Sequence, residues 1–439
     1  MSVRGASMRG TGVRGGALRA LKPRGDGPRA GGRARAGGAG ARAAEPARAG
    51  SLLSTISTRA AMWALLGALC VFGLVMVLSA SSIVSLAQDG GPWAIFKRQL
   101  LYEGMGLVAM VVAARVDYHR WRLARVVLPA VTIALLIIVR MVGQTVGGSS
   151  RWLVLGPLRI QPSELAKLAL IIFVAELLAR RFDQGCDPSS MVGPVVVVFA
   201  VMALLVVMQP DLGTAIVLAA ITLGMLYAAD VPAIRLVKVA GILVASAVAL
   251  GLVLPGRRQR IMSFLHPFAH ASSSGYQVVQ SLVGLGNGGL FGLGLGNSRQ
   301  KWGLLPNAYT DFIFSIIGEE LGLIASIVVL AAFVALAWLG LRAASRSPDR
   351  FGMFLAVGVT WWLSMQAVIN IGAVIGVLPV TGIPLPFISF GGSSLVINMA
   401  AAGILVNVAA HERPPGGRAR TGAGARPGTR RPPRAETAR

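Results

Sequence analysis

Charge is scarce in this sequence. Asp, Glu, Lys and Arg make up 13% of its 439 residues, while 54% are hydrophobic. Average soluble domains carry about 25% charged residues, so composition excludes a string of soluble domains. Cysteine is nearly absent. Cys70 falls inside an apolar run and Cys186 in a short polar loop, which leaves no basis for a disulfide framework. The four histidines, His119, His266, His270 and His411, show no metal-ligand spacing and are too few to supply a readable Ser/His/Asp arrangement. The first 50 residues lack the apolar core of a signal peptide, so insertion is expected to depend on the first membrane helix, which is retained. A phosphate-loop pattern ending in Gly-Lys-Ser/Thr is missing as well.

Long apolar runs are plentiful. Stretches such as 61–82, 194–208, 213–229 and 323–341 are long enough, alone or with their neighbours, to cross about 30 Å of hydrocarbon at 1.5 Å per residue. Reading such runs between charge clusters predicts ten helices, over 60–82, 96–114, 123–142, 162–179, 191–208, 211–229, 234–254, 312–341, 352–376 and 393–410. The eighth is long enough to tilt or overhang. The expected fold is an all-α polytopic membrane protein of about ten transmembrane helices, with a large extracytoplasmic loop at 255–311 between the seventh and eighth. The domain plan is a disordered basic tail (1–59), a membrane domain (60–410) and a second disordered basic tail (411–439).

The net charge of +25 is concentrated at the ends. Residues 1–60 hold twelve Lys/Arg against two acids, and residues 411–439 hold eight against two. Both tails are rich in Gly, Ala, Pro and Arg, a composition with little to bury. They lack the interleaved aromatics of nucleic-acid binders, so no nucleic-acid partner is expected; basic arms near anionic headgroups fit better. Basic residues in the short loops place both termini in the cytoplasm. The loops 83–95, 143–161, 209–211, 255–311 and 377–392 then face outward. They hold nearly all the Gly/Pro-punctuated polar sequence, so an active site would open to the outer face.

Four clusters can carry chemistry. The first runs from Gly147-Gly148-Ser149-Ser150-Arg151-Trp152 to Gln161-Pro162-Ser163-Glu164 and Lys167. Pro162 suits a first helical turn, where the helix dipole favours Glu164. Glu164 and Lys167 share a face, and an ammonium inside an apolar helix is expensive unless paired or wetted. The second is Gln209-Pro210-Asp211-Leu212-Gly213-Thr214, in which Asp211 reads equally as a helix cap or a site residue. The third covers 275–320: Gln280-Ser281, the glycine-rich run 284–298, Lys301, Leu305-Pro306, Tyr309-Thr310-Asp311-Phe312, then Glu319-Glu320 about two turns into the eighth helix. Glycines let backbone approach a ligand closely, and carboxylates in membrane helices mark sites or relays. The fourth is Leu378-Pro379 through Pro384-Leu385-Pro386 to Gly391-Gly392-Ser393-Ser394. Its prolines exclude continuous helix, and irregular backbone at membrane depth is tolerated where protein buries it or where it lines a wet cavity.

In this order, across roughly residues 60–410, the clusters closely resemble the SEDS family (shape, elongation, division and sporulation), whose members include FtsW and RodA. The most specific pieces are Gln161 to Glu164, Gln209 to Thr214, Leu305 to Phe314 with Glu319-Glu320, and Pro384 to Ser394. The stretch from Gly294 to Lys301 and on to Leu305-Pro306 is more similar to the FtsW branch than to the RodA branch. The resemblance implies a peptidoglycan glycosyltransferase that polymerises lipid II at the outer face of the bacterial cytoplasmic membrane during septal synthesis. It also implies a class B penicillin-binding protein transpeptidase and other division membrane proteins as partners. The family's catalytic aspartate corresponds to Asp311. Three positions depart from the family pattern: Tyr309 stands where a histidine is common, Asn307 where an acidic residue is common, and Phe390 where a tyrosine is common.

The chemistry such an enzyme needs is deprotonation of a sugar 4-hydroxyl and neutralisation of a departing diphosphate. Asp311 is the expected base. Arg151 and Lys167 are candidates for the diphosphate, with Glu164 and Asp211 holding those cations. Gln280, Glu319, Glu320 and Ser393 complete the candidate substrate-binding set. A divalent cation, Mg²⁺ or Mn²⁺, at Asp311 is an open alternative, and no metal site is assigned. Two other functions fit the same hydropathy: a lipid II flippase, which inverted repeats would favour, and a non-enzymatic division scaffold.

Overall fold

The computed structural model describes residues 57–146, 149–156, 158–253, 264–273 and 275–412. The tails expected at 1–59 and 411–439 lie outside these residues, save for 57–59 and 411–412. Eleven α-helices occur among the described residues: α1 Thr58–Asp89, α2 Ala94–Arg115, α3 Ala124–Val142, α4 Pro162–Asp183, α5 Val192–Met208, α6 Leu212–Ala228, α7 Ala233–Val253, α8 Tyr276–Gly288, α9 Ile313–Ser345, α10 Arg350–Val374 and α11 Ser393–Ala410. All ten expected helices are present. Six of them (α1, α3, α5, α9, α10 and α11) are long and apolar enough to cross a bilayer, and α6 is a shorter apolar helix. This is a polytopic membrane protein.

Burial sorts the helices. α10 and α11 bury 67% and 78% of their most apolar windows, whereas α3 buries 22%, so the former are central and the latter peripheral. Small residues set the close approaches, as expected where lipid removes the hydrophobic drive between helices. Gly106 on α2 lies against Met399 on α11, Gly403 lies against Met110, and Gly358 on α10 lies against Ile171 on α4. Asn407 on α11 donates to the Ala114 carbonyl and accepts from the Tyr118 amide at 2.8 and 2.9 Å, which ties the ends of α2 and α11 together.

Three features differ from the sequence expectation. The loop 143–161 contains a three-stranded antiparallel sheet, β1 Gln144–Val146, β2 Ser149–Leu155 and β3 Leu158–Ile160. The loop 255–311 contains α8, whose Ser281 hydroxyl donates to Val374 O at 2.8 Å and whose Ser281 carbonyl accepts from Ser315 Oγ at 2.9 Å. The eighth expected helix is broken. Within α9, Gly322 adopts φ 79° and ψ −173°, which no L side chain accepts easily. The glycine-rich segment docks at the break: the amides of Leu293 and Gly294 donate to the carbonyls of Glu319 and Glu320, and Leu323 N donates to Gly289 O. A Cβ on Gly288, Gly292 or Gly322 would collide with Gly318 O, Glu320 O or Leu290 O respectively. These glycines therefore admit the protein's own backbone, where the sequence suggested a ligand.

Candidate active site

The segment 378–394 joins the other motifs. Its residues 378–392 run without helix between α10 and α11, with Gly382 (φ 73°), Phe387 (φ 64°) and Gly392 (φ 53°) in the left-handed half of backbone space, and Ser393-Ser394 open α11. Its Phe390 amide donates to Tyr309 O at 3.0 Å, next to Asp311. The rings of Tyr309 and Phe390 meet edge to face, with centroids 5.7 Å apart. Two of the three departures from the family pattern are thus partners of one another. Gly213, in the turn that opens α6, approaches Thr381 O and Ile383 so closely that a Cβ would not fit. Ser393 Oγ accepts from Gln161 N at 3.0 Å, and Ser394 Oγ donates to Glu164 Oε2 at 2.7 Å.

Behind this segment lies a buried polar chain. Lys167 Nζ stands 2.7 Å from Glu164 Oε2, 3.0 Å from Gln366 Oε1 and 5.0 Å from the centre of the Trp362 ring. Lys167 is 1% exposed and Glu164 3%, so each desolvated charge is compensated by the other and by amide and hydroxyl groups. Trp362 Nε1 also donates to Gln366 Oε1 at 2.8 Å, and Gln366 Nε2 donates to Pro384 O at 3.0 Å. One turn on, Asn370 Nδ2 donates to both Asp311 O and Ile383 O at 2.7 Å.

Asp311 is partly exposed in the turn before α9. With Phe312, Asn370, Ala373 and residues 380–383 it lines a small, partly open cleft, well short of a site that encloses a whole ligand. Its Oδ2 is 3.6 Å from the point a Gly382 Cβ would occupy, an ordinary contact distance, which places Gly382 next to the carboxylate.

Asp211 is a helix cap and more: Oδ1 accepts from Thr214 N at 3.1 Å, and Oδ2 accepts from Thr214 Oγ1, Gln161 Nε2 and Ser163 Oγ at 2.9–3.1 Å. Arg151, its side chain 24% exposed, reaches from β2 to within 3.8 Å of Asp211 Oδ1 and donates to the carbonyls of Gln209 (3.0 Å) and Pro210.

Three candidates lie away from the cleft. Gln280 is half-buried on α8. Glu319 accepts from Ser298 Oγ and from the amides of Arg299 and Gln300, the latter two at 3.2 Å; Glu320 accepts from Ser79 Oγ at 2.7 Å and pairs with Lys301 at 3.2 Å. Both glutamates are fully buried and fasten the segment 298–301 to α9 and α1. Gln366 and Asn370 escaped sequence reasoning. The signal available was two amides four residues apart in an apolar helix, a spacing that places them on one face.

No cluster of three or more His, Cys, Asp or Glu able to hold a metal ion occurs among the described residues.

Comparison with known proteins identifies the scaffold. A family model described as "Cell cycle protein", FtsW/RodA/SpoVE, matches residues 59–414. A Shewanella sediminis protein named "Probable peptidoglycan glycosyltransferase FtsW" is 43% identical over 81% of this chain and 87% of its own. The Bacillus subtilis "Stage V sporulation protein E" is 41% identical over 79% and 95%. Among solved structures, a chain from a peptidoglycan synthase complex that coordinates polymerization and crosslinking superposes with a TM-score of 0.64 at 26% identity, covering 80% of this chain and 97% of that one. The Thermus thermophilus rod shape determining protein RodA superposes at 0.60 and 25% identity, covering 80% and 96%. The chain belongs to the FtsW/RodA/SpoVE family of cell cycle proteins.

Proposed function

We propose that this protein is a peptidoglycan glycosyltransferase that polymerises lipid II at the outer face of the bacterial cytoplasmic membrane during septal wall synthesis, with both termini cytoplasmic. The observation that carries the reading is the placement of Asp311. It sits in a cleft whose walls are the segment that gathers three further motifs, in a chain whose relatives are named as such glycosyltransferases. The partners are lipid II, a class B penicillin-binding protein transpeptidase and other division membrane proteins; the similarity to a chain of a synthase complex supports the transpeptidase.

In this mechanism the Asp311 carboxylate takes the proton of the acceptor sugar 4-hydroxyl as that oxygen bonds to C1 of the donor sugar. The bond from C1 to the diphosphate oxygen breaks, and undecaprenyl diphosphate leaves with the electron pair. Arg151, partly exposed and held by Asp211 and the carbonyls of Gln209 and Pro210, is the cation for the leaving group. Lys167 is enclosed and acts from behind by fixing the first turn of α4. A divalent cation could bind as Mg²⁺ commonly does, through one carboxylate and substrate phosphates: Asp311 would hold it, and it would supply positive charge to the diphosphate.

The test is Asp311→Asn, which removes a base at nearly constant size. Lipid II binding should survive while polymerised glycan falls about 10²–10⁴-fold. Near-wild-type polymer would remove the assignment.

A further inference from the structure

We propose that Asn370 is a positioning residue for Asp311; the inference rests on the reading of Asp311 as the base. Asn370 is 2% exposed within α10, where an unpaired amide is costly. Both hydrogens of its Nδ2 are spent on main-chain carbonyls from two different segments, Asp311 O and Ile383 O, each at 2.7 Å. Both segments line one cleft, which Asn370 also lines. Its Oδ1 is buried without a partner among the described residues, so the two donated bonds are what hold the amide. It serves as a clamp on Asp311.

The turn it clamps is also held by its own backbone bonds, Thr310 N and Phe312 N to Asn307 O, and by the Phe390 amide on Tyr309 O. Residues 303–312 are a run of turns with Asn307 in the left-handed region, and Phe312 opens α9 without a side-chain cap. Holding the Asp311 carbonyl fixes the backbone from which the carboxylate projects, and its Oδ2 lies 3.6 Å from the place of a Gly382 Cβ. Gln366, one turn earlier, fixes the next carbonyl, Pro384 O, and ties it to Lys167 and through Lys167 to Glu164. α10 thus presents two amides in one row that pin consecutive carbonyls of the segment facing the base. Displacements of about 1 Å remote from the reacting atoms can cost about 10² in rate, which is the scale of effect a lost clamp predicts.

The experiment uses full-length protein with its transpeptidase partner and labelled lipid II. Asn370→Ala should lower kcat about 10–100-fold with KM within twofold of wild type, and with a melting temperature in detergent that leaves the protein folded at the assay temperature. Asn370→Ser, which keeps one donor, should fall between. In an Asp311→Asn background the further change Asn370→Ala should cost less than twofold, because groups that act as a unit are non-additive. Losses that multiply in the double variant, or a rise in KM at constant kcat, would overturn the proposal. If Asn370→Ala does not fold, the Ser variant decides: wild-type kcat overturns the clamp, and an intermediate kcat at unchanged KM supports it. If the residual turnover of Asp311→Asn is below detection, the kcat–KM split of the single variants decides in the same way. Failure of the underlying reading is separately visible, since Asp311→Asn would then polymerise like wild type.

Discussion

At the scale of single residues, the pair Glu164–Lys167 shows how sequence and structure divide the problem. Spacing alone places both on one face of α4, and the expense of a buried ammonium demands a partner. Sequence does not reveal that Lys167 also spends its charge on Gln366 and Trp362, helix α10 being almost two hundred residues away. The pair therefore acts first as a buried strut. Lys167→Met should destabilise the protein by about 3–5 kcal/mol, because it strands the Glu164 carboxylate. Adding Glu164→Gln should recover part of that loss, and thermal melting in detergent of the two single variants and the double variant measures it. Strict additivity would show that the two groups do not depend on each other.

At the scale of elements, the break in α9 is the feature with the sharpest structural consequence. Gly322 at φ 79° and the collision awaiting a Cβ there predict that Gly322→Ala costs at least about 1–2 kcal/mol from backbone strain alone. The loss should appear locally, as faster hydrogen exchange over 289–304 with α10 and α11 still protected; unchanged exchange would contradict the docking of that segment into the break. The ten helices were legible because each is an apolar run bounded by charge or by Gly and Pro. The break was hidden for the same reason: Gly318 and Gly322 sit in a run apolar enough to read as one helix, and only the distant glycines 288–296 fill the gap. The small sheet at 144–160 was equally obscure, since strands of three to seven residues carry little periodicity. The motif residues were legible as candidates. Their sorting was not, because Glu319 and Glu320 share their charge type with the site residues and differ from them only in which segment they hold.

At the scale of the whole molecule, the buried helices α4, α10 and α11 bring three polar starts or ends to one side, and segment 378–394 closes them around Asp311. If that side faces outward, as the basic loops indicate, a cysteine placed at Ser273 should react with a membrane-impermeant thiol reagent in spheroplasts and one at Arg346 should not. The reverse pattern would invert every motif. The central claim is that this arrangement makes glycan, and the most direct measurement is glycan-chain sizing after purified protein and its transpeptidase partner are given labelled lipid II in liposomes. The account predicts chains many disaccharides long from wild type and a deficit of about 10²–10⁴ in polymer from Asp311→Asn. Lipid II carried across the membrane with no polymer formed would contradict it and leave a transporter in its place.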